Sequence, residues 1–182
     1  MRAVDSVLLA GWVAFWLGWL AAAARTDPGR VRFRRAAGIR LVFFVVVLVL
    51  IRINAFHGDI ENHGPWTAGV GLALFFAGLA FAVWARVYLG HSWGMPMSQK
   101  ADSELVTSGP YRLVRHPIYS GIILGMIGTA VVVSYYWLAF AVLFGGYFVY
   151  SATREERYMT ERFPDAYPQY KRSTKMLIPF IF

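Results

Sequence analysis

The sequence predicts an all-α integral membrane protein: a helical bundle of about five transmembrane helices, the last two forming a tight hairpin. Three observations carry this expectation. Hydrophobic residues make up 58% of the chain and charged residues only 15%, against about 25% charged in an ordinary soluble domain. The apolar residues fall in long blocks rather than in short amphipathic runs. Basic residues are concentrated in alternate links between those blocks, as the positive-inside rule requires of a chain that crosses the membrane repeatedly.

The first block runs from Val4 to Ala24. Its small residues Ala21 to Ala24 imitate a signal-peptide cleavage site. The block is nevertheless long for a signal sequence, and its basic flank follows it instead of preceding it. The second block is Ile39 to Ile53 and the third Trp66 to Leu89. The fourth, Pro117 to Val133, and the fifth, Tyr135 to Tyr150, are separated by little more than Ser134. A helix needs about 20 residues to span the hydrocarbon, so these last two read as a short hairpin, tilted or partly sunk.

Charge then orients the bundle. The link from Arg25 to Arg40 holds six arginines, and the link from Asn54 to Pro65 holds no Lys or Arg. Lys100, Arg112 and Arg115 follow in the next link, the Ser134 turn has none, and the tail carries Arg154, Arg157, Arg162, Lys171, Arg172 and Lys175. The pattern fits five crossings with the N-terminus outside and the C-terminus cytoplasmic. The same placement accounts for the net charge of +8, so a nucleic-acid partner is not expected. The absence of cysteine excludes disulfides, thiolate metal sites and a cysteine nucleophile. His57, Asp59, Glu61 and His63 match no helical ligand spacing and read as a polar outer loop, so no metal is expected. Gly69-Val70-Gly71 lies inside an apolar block and reads as helix packing.

By character the chain divides into residues 1–90, three helices joined by simple loops, and residues 91–182, where polar and apolar residues mix and chemistry is expected. The richest stretch is Ser108 to Gly121. Pro117 suits the first turn of a helix, so Arg115 and His116 should stand at the helix mouth, where free N–H groups and the dipole favour an anion. Gly121 and Gly125 form a small-xxx-small pair for close helix approach. On these residues alone, Tyr111, Arg112 and Tyr119 read equally as interfacial anchors and His116 as a helix cap. Arg154-Glu155-Glu156 closes the fifth helix. Adjacent carboxylates there oppose the dipole and require compensation, or they form a solvated surface with Arg154 and Arg157. A tight turn between the last two helices brings their far ends together, and with them Glu155, Glu156, Arg115 and His116. Polar groups gathered at such depth are usually functional.

Leu105 to Tyr111, Arg115 to Gly121, Glu155-Glu156, Phe163, Tyr167, Tyr170-Lys171 and Ile178 to Ile181 occur in an order that resembles the C-terminal half of the isoprenylcysteine carboxyl methyltransferase family, including its bacterial and archaeal membrane branch. The resemblance covers roughly residues 96–182. It implies an S-adenosylmethionine-dependent methyltransferase whose cofactor touches Leu105, Val106, Tyr111, His116, Pro117, Ile118, Tyr119 and Glu155, with Gln99 as the candidate for a glutamine earlier in the loop. Glu156 is the candidate base for an amine or thiol acceptor, and Arg154 a nearby cation. Eukaryotic members place a substrate-binding arginine four residues before the first glutamate; here that position is Ser151. The resemblance therefore implies methyl transfer to a lipophilic acceptor entering from the bilayer more strongly than it implies a prenylcysteine carboxylate. An NADPH-dependent membrane reductase of the sterol reductase type, which has a similar Arg-His-Pro element, and a non-catalytic membrane protein of the same fold stand as alternatives.

Overall fold

A computed structural model describes residues 3–24, 64–90 and 105–182. The second apolar block, Gln99 and the polar loop from His57 to His63 lie outside the described residues. Among those described are five α-helices: α1 (Ala3–Ala24), α2 (Pro65–Leu89), α3 (Pro117–Val132), α4 (Leu138–Arg162) and the short α5 (Ala166–Ser173). No strand occurs among them, and one isolated parallel bridge joins Val114 to Lys175. Among the described residues, three stretches are long and apolar enough to cross a membrane: Ala3–Ala22, Pro65–Leu89 and Tyr135–Arg162. The protein is an all-α membrane bundle.

The centre of the bundle is the seam between α2 and α3. On α2 the buried residues are Gly71, Phe75, Gly78, Leu79, Ala82, Ala85 and Arg86, one stripe at helical spacing. The facing stripe of α3 is Gly121, Ile122, Gly125, Gly128, Thr129 and Val132. Glycine meets glycine here. A Cβ on Gly78 would stand 2.5 Å from the carbonyl oxygen of Gly121 and 2.5 Å from the nitrogen of Gly125, and one on Gly121 would stand 2.5 Å from the Gly78 carbonyl oxygen. In lipid no hydrophobic force drives helices together, so close backbone approach and the dispersion contacts it allows take over that role. The expected pair Gly121 and Gly125 is thus half of a two-sided contact. From the Gly69-Val70-Gly71 run, only Gly71 enters it; Gly69 meets nothing.

Against this seam lies α1. Leu8 and Phe15 are buried in the core, and the Trp12 indole N–H donates to Thr129 Oγ1 at 3.1 Å. Thr129 in turn donates to the Gly125 carbonyl at 2.9 Å, so both polar groups are satisfied inside an apolar bundle. The ring of Trp12 meets Phe75 edge-on at 5.5 Å.

The expected hairpin is present, with one correction. A 3₁₀ turn, Tyr135–Trp137, joins α3 to α4, and Ser134 begins it by accepting from the Tyr136 N–H at 3.4 Å. The fifth apolar block ends at Tyr150, but the helix runs on to Arg162. Its final three turns are polar and lie beyond any hydropathy signal, while Glu, Arg, Met and Ala are good helix formers. Only α3 is short. Its 16 residues extend about 24 Å at 1.5 Å per residue, less than the roughly 30 Å hydrocarbon, so its first residues lie close to the membrane boundary.

The seam yields a test. Gly78→Ala should destabilise the protein by about 1–3 kcal/mol, because backbone rather than a flexible side chain must give way. Gly69→Ala should change stability by less than about 0.5 kcal/mol. Denaturant titration in mixed micelles would show the difference; equal effects would refute the close seam.

Candidate active site

The site lies where α3 begins, flanked by the last third of α4 and by the segment after α5. A 3₁₀ turn, Gly109–Arg112, leads into α3. Gly109 opens it at φ 59°, a conformation costly for residues with a Cβ, and a Cβ there would stand 2.6 Å from the Tyr88 ring. Tyr88 and Ser108 share a hydroxyl hydrogen bond of 2.8 Å, which ties this turn to the end of α2. Pro117 occupies the first turn of α3, as expected.

His116 is the residue before the helix, but its side chain makes no capping hydrogen bond. The ring lies between two carboxylates, with Nδ1 3.6 Å from Glu155 Oε2 and Nε2 3.5 Å from Glu156 Oε1. These are too long for strong hydrogen bonds. The ring is also stacked on Tyr119, centroids 5.5 Å apart and planes within 5°. Tyr119 stacks in turn on Phe148 at 4.6 Å, and its hydroxyl donates to Glu155 Oε1 at 2.6 Å. Tyr119 thereby spans two turns of α4, from Phe148 to Glu155.

Glu156 is nearly sealed, its side chain 3% exposed. Arg115 Nε donates to its Oε1 at 2.6 Å, and the Lys171 ammonium lies 2.7 Å from its Oε2. The same guanidinium reaches the backbone: Arg115 Nη1 donates to the carbonyls of Thr174 and, at 3.2 Å, of Lys171. One buried carboxylate therefore joins α3, α4 and α5. This supplies the compensation that adjacent acids on this part of α4 require.

The backbone N–H groups of the two residues just before α3 are occupied. Arg115 N–H donates to the Lys175 carbonyl at 2.8 Å and His116 N–H to the Met176 carbonyl at 3.0 Å. Ser120 Oγ donates to the Leu177 carbonyl at 2.6 Å. The segment after α5 is strapped across the start of α3. Tyr170 supports it by donating to the Tyr111 carbonyl at 2.5 Å. Burial pushes the phenols of Tyr111, Tyr167 and Tyr170 well above the ordinary tyrosine range, with Glu156 adding to the effect at Tyr167. All three are therefore neutral near pH 7, and Tyr111 and Tyr170 act as donors.

Of the residues expected from the sequence, the structure brings His116, Tyr119, Glu155 and Glu156 into one cluster, with Pro117 beside it. Ile118 packs partly buried against the core. Leu105 and Val106 are half-buried ahead of the turn, and no hydrogen bond among the described residues ties them to the cluster. Tyr111 is a strut, its hydroxyl 3.4 Å from the Ala85 carbonyl. Arg154 is exposed and takes no part in the cluster's ion pairs among the described residues. The cations that do are Arg115, which the hairpin was expected to bring to the acids, and Lys171, which in sequence is one of two lysines in the tail. The spacing Tyr167, Tyr170, Lys171 is the available signal for Lys171, since it places all three on one helical face.

A bundle of apolar helices with a polar cluster at the helix ends defines the class, an all-α membrane protein with one candidate site, and sequence comparison identifies the group within it. The phospholipid methyltransferase family matches over residues 66–166, and the chain belongs to that family. Similar proteins include protein-S-isoprenylcysteine O-methyltransferase B of Arabidopsis thaliana, 28% identical over 145 residues, 78% of this chain and 73% of the relative. The cobalt-zinc-cadmium resistance protein CzcN of Cupriavidus metallidurans is 27% identical over 146 residues, 77% of this chain and 63% of the relative. Methanethiol S-methyltransferase of a Pseudomonas species is 27% identical over 124 residues, 63% of this chain and 47% of the relative. The match thus extends over less than two thirds of the latter two proteins.

The ion pair can be tested directly. Removing one partner of a buried pair strands the other charge, at about 3–5 kcal/mol. Lys171 stays on Glu156 in Arg115→Met, so that change should cost less, about 1–3 kcal/mol in a denaturant titration, and Arg115→Met with Glu156→Met should recover most of it. A double variant as unstable as the sum of the single changes would count against the pair.

Proposed function

We propose that the chain transfers a methyl group from S-adenosylmethionine to an apolar acceptor that arrives through the bilayer. The observation that carries this reading is the convergence of His116, Tyr119 and Glu155 at the end of two membrane helices in a member of a methyltransferase family. S-adenosylmethionine would supply an electrophilic methyl group on a sulfonium. The residues present suit it. Glu155 is partly exposed, with its side chain at 26%, and a carboxylate accepts from ribose hydroxyls or an ammonium. His116 stands beside it, Nδ1 turned to Glu155 and Nε2 buried against Glu156. The His116 ring ends the stack of His116, Tyr119 and Phe148, an aromatic surface beside which adenine or a cation would lie. Leu105, Val106, Tyr111, Pro117 and Ile118 would form the apolar wall, and Gln99 remains the candidate amide in the preceding loop.

Glu156 is assigned a positioning role instead of the base expected from sequence, because both of its oxygens are engaged by cations. Arg154 is assigned no contact with the reacting groups. Alignment is the main requirement of methyl transfer, and the Arg115–Glu156–Lys171 junction supplies it by fixing three elements around His116. In this reading residues 1–90 are the scaffold and residues 91–182 carry the chemistry, with the site on the cytoplasmic side, where the basic links lie.

The relatives' names span a prenylated cysteine and a small thiol, so the acceptor has to be argued from this chain. Ser151 lies one turn before Glu155, in the interval of α4 that Tyr119 spans. It is 0% exposed and its hydroxyl has no hydrogen-bond partner. A neutral hydroxyl gives a carboxylate acceptor no fixed cation, which favours a neutral or more apolar one. In calorimetry on the detergent-purified protein, His116→Ala or Glu155→Ala should weaken S-adenosylhomocysteine binding at least about tenfold, or 1.4 kcal/mol; unchanged binding in both would place the cofactor elsewhere. With tritiated donor, wild-type transfer to a farnesylcysteine analogue should be weak and Ser151→Arg should raise it. Strong wild-type transfer to that analogue, indifferent to Ser151, would remove the acceptor assignment.

A further inference from the structure

The segment beyond the strap is an apolar turn. Leu177 N–H and Ile178 N–H both donate to the Phe182 carbonyl, at 2.7 and 2.6 Å, and Phe182 N–H donates back to the Ile178 carbonyl at 3.0 Å. Phe180 at its tip has φ 66°, a region disfavoured for a bulky side chain. The turn is a closed, ordered structure. Leu177 is buried in the core, yet Phe180 is 91% exposed, Ile181 75%, and Ile178 and Phe182 about half. Apolar surface of this extent on a small, self-bonded turn signals a contact outside the chain.

Its depth says what that contact is. The turn is bound by Ser120 Oγ to the Leu177 carbonyl and by His116 N–H to the Met176 carbonyl, so it lies level with the first turn of α3. That helix is apolar from Ile118 onward and too short to keep its first turn far from the hydrocarbon. What surrounds a protein at that level is lipid. Just ahead of the turn in sequence stand Arg172 and Lys175, both exposed, a pair of cations suited to anionic headgroups.

We infer that Leu177–Phe182 is an interfacial wedge: Ile178, Phe180, Ile181 and Phe182 lie among the acyl chains at the membrane boundary, and Arg172 and Lys175 lie on the adjoining headgroups. The wedge is continuous with the strap over His116, so the bilayer holds one wall of the candidate site in place. This assignment stands whether or not the chain transfers methyl groups.

The chain has no cysteine, so Phe180→Cys carries a single environment-sensitive fluorophore in this 182-residue chain. The labelled protein would be reconstituted in vesicles of equal parts phosphatidylcholine and phosphatidylglycerol, with Asp165→Cys, on an exposed position, as the aqueous control. The probe at 180 should emit further to the blue. It should be quenched at least about threefold more by nitroxide carried near the top of the acyl chain, and correspondingly less by iodide, than the probe at 165. Ile181→Cys provides the same reading should the first variant fail to fold. Iodide quenching at 180 and 181 equal to that at 165 would place the turn in water. Protection from both quenchers would mean another part of this chain covers it. Either result overturns the wedge.

Discussion

A carboxylate withdrawn from water at a membrane boundary must find cations, and the cations it finds decide which pieces of chain are held together. Glu156 takes Arg115 from the start of α3 and Lys171 from α5. Arg115 then uses its remaining donors on carbonyls of the segment that follows. Such a pair is weak evidence for net stability, since desolvation offsets much of the attraction. Its value lies in geometry. Three elements acquire one relative position at this level, and His116, Tyr119 and Glu155 are placed as a result.

The glycine seam prepares this junction from below. Because α2 and α3 touch backbone to backbone, the axial position of α3 has little freedom. The turn at Ser134 transfers that position to α4. Phe148 and Glu155, seven residues apart, then stand at the separation that one tyrosine covers by stacking on the first and hydrogen bonding to the second. Packing deep in the bundle and polar contacts at its mouth are thus two ends of one arrangement.

Much of this was legible in the sequence, and the limits have physical reasons. Hydropathy located α1, α2 and the hairpin because lipid demands long apolar stretches. The hairpin also implied that Glu155 and Glu156 meet Arg115 and His116, and they do. Hydropathy failed where lipid stops exerting its demand, and for that reason α4 continues twelve residues beyond Tyr150. The sequence favoured Arg154 as a cation near the acids, whereas helical rotation turns it to the exterior and the closing cations come from 41 residues upstream and from α5. Nor could composition reveal that the N–H groups of Arg115 and His116 are taken by Lys175 and Met176, because a single parallel bridge leaves no periodic trace.

The strap over α3 bears on the order in which the protein can be made. Arg115 must wait for a carbonyl 59 residues further along the chain, so the α3–α4 hairpin enters the membrane with its mouth open and its carboxylates uncompensated by Lys171. Contacts of such long sequence separation form late. The polar cluster therefore comes together as a closing step, after the helices are in lipid. A nascent chain halted before Thr174 would hold the seam, the turn and both acids, yet lack the backbone acceptors that bring the guanidinium into register.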